Sequence, residues 1–106
     1  MMSLNPLAIA ALTLLATTAA YAQDASQRLQ TRSLAATCAQ CHGTDGRGAA
    51  NSAVPSLAGM PKAYMITQLR AFKDGSRPAT IMHQLSKGFT DEQVDRVATY
   101  FAAQPR

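Results

Sequence analysis

Residues 38–42 read Cys38-Ala39-Gln40-Cys41-His42, and the interpretation of the whole chain depends on this stretch. In a helical turn, the second cysteine lies three residues and the histidine four residues after the first, so the three side chains share one face. Two thiols can form thioether bonds to the vinyl groups of a haem, while the imidazole binds its iron as proximal ligand. We therefore predict one covalently bound haem c held by Cys38, Cys41 and His42.

Three other kinds of site also use two cysteines at this spacing: a disulfide, a thioredoxin-like redox pair and half of a zinc site. The chain has no βαβ pattern for a thioredoxin-like domain, and only His42 and His83 are available to complete a zinc site. A disulfide closing so short a loop would constrain the unfolded chain little. We adopt haem attachment and keep these three as alternatives.

The N-terminal segment has the pattern of an export signal. An apolar stretch from Leu7 to Ala16 is followed by Ala20-Tyr21-Ala22, the small-x-small pattern that signal peptidase accepts. We predict a signal peptide over residues 1–22, cleaved after Ala22, and a periplasmic domain over residues 23–106. The alternative is an uncleaved membrane anchor, but the apolar run is shorter than the roughly 20 residues of a spanning helix. After cleavage we expect no stable membrane insertion.

The charge of the chain bears on its partners. All ten Lys and Arg and all six Asp and Glu lie after residue 22, so the predicted mature chain keeps the formal net charge of +4. The cations form no run and are not interleaved with aromatic residues, as they are in many nucleic-acid-binding proteins. We expect an acidic protein partner and no nucleic acid.

Helical signals surround the cysteine motif. Residues 23–39 lack Gly and Pro, and we predict a helix there whose apolar face carries Ala25, Leu29 and Ala36. The three glycines within residues 43–48 predict a loop.

The C-terminal half predicts further helices. One covers residues 61–74 and stops before Gly75, and a short helical segment lies within residues 80–87. A last helix begins after Thr90, which forms a capping box with Gln93. No stretch alternates long enough to predict a strand. We therefore predict an all-α fold of three to four helices around one haem.

An electron carrier usually has a protein side chain as its sixth iron ligand, most often methionine. Met65 lies on the apolar stripe of the second predicted helix, where a core position is expected. Met82 lies in the irregular segment that can cross the far haem face, and we predict that it is the distal ligand. Met60 and His83 remain the alternatives.

Across nearly all of residues 23–106, the chain resembles the class I bacterial cytochromes c. The resemblance implies that the carbonyl of Pro55 accepts a hydrogen bond from the proximal imidazole of His42. It also implies that the first and last helices pack together through Tyr100 and Phe101.

The segments Phe72-Lys73-Asp74-Gly75 and Thr80-Ile81-Met82-His83-Gln84-Leu85-Ser86-Lys87-Gly88-Phe89-Thr90 resemble more specifically the cytochrome subunit of flavocytochrome c sulfide dehydrogenase. In that family the methionine of the Thr-Ile-Met segment binds iron, which corresponds to Met82. The implied partner is an FAD-containing flavoprotein subunit, which takes two electrons from sulfide and passes them singly to the haem. The chain would then be an electron-transfer subunit and not an enzyme by itself.

One departure from that family is the single haem motif, because many of its members carry two haem domains. The alternatives are a free soluble carrier that shuttles electrons between respiratory complexes or other redox proteins, and a haem enzyme or gas sensor with an open sixth position.

Overall fold

The computed structural model describes residues 5–106, so the predicted signal peptide over residues 1–22 lies partly outside the described residues. The elements in chain order are α1 (Pro6–His42), a 3₁₀ turn (Thr44–Gly46), α2 (Lys62–Asp74), α3 (Met82–Lys87) and α4 (Asp91–Ala102). No strand occurs between residues 5 and 106. The prediction of an all-α fold is confirmed.

The chain divides into two units, one ending at Gln30 and the other covering Thr31–Arg106. In the first unit, the described residues 6–30 are helical and exposed. The N-terminal part of α1 is long and apolar enough to cross a membrane. The expectation that the apolar run is too short for this is wrong. Export signals meet the same criterion of length and composition. Length and composition do not separate a signal from an anchor, and cleavage after Ala22 stays a prediction.

Helix α1 is much longer than the predicted helix over residues 23–39. Between Pro6 and His42 no Gly or Pro interrupts a run rich in alanine, the residue with the highest helix propensity. Gly43 follows with φ +86° and ψ 159°, an extended positive-φ conformation that glycine adopts readily and that ends the helix. The cysteine motif therefore forms the last turn of α1.

The predicted apolar face of this helix is wrong. Ala25, Leu29 and Ala36 are exposed, whereas Ala35 is buried and Cys38 is half-buried against the core. Successive helical residues are turned by about 100°, so Ala36 points well away from the side on which Ala35 lies. Ala25 and Leu29 belong to the first unit. The residues that pack against Ala35 belong to the second unit.

The core of the second unit contains side chains of α1, α2 and α4. Ala35, Met65, Val97, Ala98 and Phe101 form one buried cluster, and α2 packs against both α3 and α4. Phe101 is only 1% exposed, and burying such a side chain stabilises a fold by about 1.5–3 kcal/mol. Met65 is 4% exposed, which confirms its predicted core position.

Local signals place the remaining helix boundaries as predicted. Thr90 Oγ1 accepts a hydrogen bond from Gln93 N at 3.2 Å, and Gln93 Oε1 accepts one from Thr90 N at 2.9 Å. This capping box satisfies two backbone groups at the start of α4. Helix α2 ends before Gly75, which has φ +85°.

Candidate haem site

The last turn of α1 carries the three residues of the predicted haem attachment. Cys38 is half-buried, Cys41 is exposed, and both are free thiols. His42 is 8% exposed, one of few buried polar residues in the described part of the chain. The last turn of α1 thus presents two thiols and one sheltered imidazole at the edge of the core.

The imidazole of His42 is held by one strong contact. Its Nδ1 lies 2.7 Å from the carbonyl oxygen of Pro55, and because a carbonyl only accepts, Nδ1 must carry the proton. The lone pair of the neutral ring is therefore on Nε2, the atom that is free to bind a metal. A hydrogen bond of this kind orients the ring and raises its basicity. This contact joins the two residues that the family resemblance had paired.

The loop between them turns sharply after the imidazole. A Cβ atom on Gly43 would lie 2.0 Å from the carbonyl oxygen of Arg47, so no residue with a side chain fits that position without moving the backbone. Gly43 N donates to Ala39 O at 2.9 Å, which closes the last turn of α1. The turn at Gly43 is the first part of the loop that connects His42 to Pro55.

The environment of Cys38 keeps its thiol neutral. Partial burial raises the pKa of this thiol, and the hydroxyl of Thr37, 3.9 Å from its sulfur, acts in the opposite direction with less effect. A neutral thiol is a poor nucleophile and metal ligand.

The structure separates the three methionines that follow residue 22. Met65 belongs to the core cluster and Met60 packs against it. Met82 is the first residue of α3, is half-buried, and lies outside that cluster. It is thus the thioether not engaged in the core, on an element separate from the cysteine motif.

His83, the other alternative ligand, is half-buried beside Met82. Its Nδ1 atom is buried and has no hydrogen-bond partner among residues 5–106. The hydroxyl of Ser86, one turn later on α3, is likewise buried without a partner in that range.

A closed zinc site lacks its ligands in the described part of the chain. No group of three or more His, Cys, Asp or Glu side chains is close enough there to hold a metal ion. The donor set around Cys38, Cys41 and His42 fits covalent haem instead, because it offers two free thiols and one imidazole nitrogen.

The sequence interpretation missed a polar contact beside the site. The hydroxyl of Tyr100 donates to Asp45 Oδ1 at 2.5 Å, although the two residues are 55 positions apart. Asp45 Oδ2 also pairs with Arg47 at 3.2 Å. The dipeptide Asp45-Gly46 is a turn signal, but nothing in the sequence indicates that its carboxylate reaches α4.

Comparisons with known proteins bear on this site. The sequence model of the family described as Cytochrome c matches residues 30–104. The cytochrome subunit of sulfide dehydrogenase from Chlorobaculum tepidum is 44% identical over 68 residues, which are 64% of this chain and 60% of that protein. Cytochrome c-554(548) from Halomonas halodenitrificans is 37% identical over 71 residues, which are 64% of this chain and 84% of that protein.

A solved structure of cytochrome c4 from Acidithiobacillus ferrooxidans superposes with a TM-score of 0.58 at 42% sequence identity. The match covers 62% of this chain and 37% of that one. This chain therefore spans little more than a third of the cytochrome c4 chain and 60% of the sulfide dehydrogenase subunit.

Proposed function

The chain belongs to the cytochrome c family, whose members carry covalent haem c and transfer electrons, and from this membership we propose that it is the haem subunit accepting electrons from an FAD-containing flavoprotein during sulfide oxidation. The observation that carries the proposal is the 44% identity to a cytochrome subunit of sulfide dehydrogenase.

The site residues suit this function. Cys38 and Cys41 would hold the haem through thioether bonds, and His42 would bind its iron through Nε2. Met82 would supply a thioether as a further iron ligand, and a filled coordination shell would exclude oxygen and substrates. When bound, the haem supplies one-electron redox chemistry. The carbonyl of Pro55 keeps the imidazole in the orientation and tautomer that the iron requires.

The chemistry on sulfur would take place on the partner. Oxidation of HS⁻ to elemental sulfur releases one proton and two electrons, and the flavin is the group able to accept both. This chain then accepts the electrons one at a time, so two reductions of the chain accompany each sulfide oxidised. The chain is accordingly an electron acceptor and makes or breaks no bond to sulfur.

Exposed cations favour an acidic docking surface on the partner. Arg77 precedes α3 and Lys87 ends it, so both lie close in sequence to Met82. Neither side chain pairs with a carboxylate among residues 5–106. Opposite charges on two proteins accelerate their encounter, and added salt reduces this acceleration.

The proposal places this encounter in the periplasm. Export would follow from the signal over residues 1–22, with cleavage after Ala22 releasing the domain. Haem attachment would then complete the mature electron carrier.

The test is co-purification followed by reduction. The native protein is isolated at low salt, bound flavin is identified by its absorption, and sulfide is added while the haem bands are recorded. We expect sulfide to reduce two equivalents of the cytochrome per sulfide oxidised. Thiosulfate is the control substrate and is expected to leave the cytochrome oxidised. A bound flavoprotein that takes up sulfide and leaves the cytochrome oxidised would refute the proposal.

The second candidate is a free soluble carrier. The match to cytochrome c-554(548), which extends over 84% of that protein, favours it. Isolation as a monomer without flavin, with electron exchange that slows steeply as salt is added, would support this candidate over the first.

A further inference from the structure

Hydrogen bonds and the covalent links between neighbouring residues together connect α4 to the imidazole of His42. The connection begins at the hydroxyl of Tyr100, passes through Asp45 and Gly46, and ends at the carbonyl of Pro55. Each contact is short, and the residues come from parts of the chain that are distant in sequence.

The carbonyl oxygen of Gly46 is the centre of this connection. It accepts hydrogen bonds from Leu57 N at 2.7 Å, from Ala58 N at 3.1 Å and from Ser56 Oγ at 2.7 Å. Three consecutive residues after Pro55 are thus attached to one atom. Pro55 is joined to this anchored segment by its peptide bond to Ser56, so a shift of the Gly46 carbonyl can move the carbonyl that meets the imidazole.

Gly46 is held in turn by α4. The residue is buried with φ +77°, and a Cβ atom there would lie 2.7 Å from Cδ1 of Phe101. The glycine backbone therefore lies directly against the core ring. The ring of Tyr100 meets the ring of Phe101 edge to face, with centroids 5.3 Å apart.

Asp45 completes the connection and is itself strained. Its φ of +54° is a left-handed conformation, which residues with a side chain adopt rarely and aspartate more often than most. Its carboxylate accepts a hydrogen bond from Tyr100 and pairs with Arg47, and hydrogen bonds to a charged group are stronger than those between neutral groups. The hydrogen bond from Tyr100 thus connects the turn at Asp45 to α4.

We propose that Tyr100 and Asp45 are positioning residues which, through Gly46, set the strength of the hydrogen bond between the proximal imidazole and its carbonyl acceptor. This inference rests on the proposed function, in which His42 binds the iron. A weaker bond at Nδ1 makes the imidazole less basic and stabilises the oxidised iron less, so the reduction potential rises.

The experiment compares Tyr100→Phe with Tyr64→Phe in the haem-loaded protein. Tyr100→Phe removes one hydroxyl and keeps the ring that packs on Phe101. Tyr64 is half exposed on α2, and its hydroxyl has no hydrogen bond among the described residues, so it is the matched control. The readouts are the reduction potential and the solvent exchange of the His42 Nδ1 proton, measured by NMR on the reduced protein.

We expect Tyr100→Phe to raise the potential and to speed the exchange about tenfold, while Tyr64→Phe changes neither. Ser56→Ala removes a hydrogen bond to Gly46 from the other side and is expected to shift both readouts in the same direction. If Tyr100→Phe folds poorly, Asp45→Asn tests the same contact from its acceptor side and is expected to shift both readouts in the same direction.

Wild-type values in Tyr100→Phe would overturn the proposal, and a shift in Ser56→Ala alone would show that Gly46 is held without Tyr100. A wild-type protein without the spectrum of a histidine-ligated haem would refute the assignment of His42. That result would be seen in the wild-type protein, so it is distinguishable from a failure of the inference about Tyr100, which would be seen only in the variants.

Discussion

Replacement of Gly46 by alanine should destabilise the fold for two separable reasons. The first is conformational, because φ +77° disfavours any residue with a side chain by about 1–2 kcal/mol. The second is steric, because the new methyl group would lie 2.7 Å from Cδ1 of Phe101 and 3.0 Å from Ala58 N. Insertion of a methyl group into a packed core costs about 1–3 kcal/mol. The expected loss for Gly46→Ala is therefore about 2–5 kcal/mol.

Gly75 is the matched control for the conformational part. It has φ +85°, close to that of Gly46, but a Cβ atom there meets nothing within 4 Å. Gly75→Ala should lose only about 1–2 kcal/mol. The difference between the two variants isolates the contact with Phe101 at about 1–3 kcal/mol.

The assay is urea unfolding of the haem-loaded variants, followed by far-ultraviolet circular dichroism, together with their melting temperatures. For a domain of this size, each kcal/mol lowers Tm by about 4–8 °C. Gly46→Ala should therefore melt clearly below Gly75→Ala. Equal losses in both variants would refute the close contact between Gly46 and Phe101, and with it one step of the path from α4 to the imidazole.

Three further predictions concern the ligand, the pH dependence and the N-terminus. Met82→Ala should abolish the weak charge-transfer band of a ferric methionine ligand, lower the reduction potential and allow carbon monoxide to bind. The control Met60→Ala should keep the native spectrum. An unchanged spectrum in Met82→Ala would contradict the assignment of Met82. The hydrogen bond to Asp45, burial and the nearby carboxylate charge raise the pKa of Tyr100. The contribution of neutral Tyr100 to stability is therefore complete below its pKa in the unfolded chain, which is about 10. This contribution is lost as the pH rises through the higher pKa of Tyr100 in the folded chain. Urea unfolding at pH 8 and at pH 11 should show this loss in the wild type and not in Tyr100→Phe. Mass spectrometry of the exported protein should find a chain cleaved after Ala22, and an intact N-terminus would indicate an anchor.

The features that the sequence predicted correctly depend on short-range chemistry. The capping box of Thr90 and Gln93 lies within four residues, and Gly75 ends α2 through its own backbone conformation. The cysteine motif is local in the same sense, since one helical turn brings its side chains together. Such features need no knowledge of what the helices pack against.

The features that the sequence did not predict depend on the neighbours of each element. Which side of α1 is buried is decided by the partners of Ala35 in α2 and α4, and helical periodicity in an alanine-rich segment is too weak to indicate it. The contact between Asp45 and Tyr100 joins residues 55 positions apart. The left-handed conformation of Asp45 is likewise invisible in a dipeptide that only signals a turn.

The unequal exposure of the two cysteines has a consequence for how the protein matures. Cys41 is exposed, whereas Cys38 is partly covered and its thiol is kept neutral by burial. A machinery acting on the folded chain would therefore reach Cys41 first, and the second bond would have to wait for local opening at the end of α1.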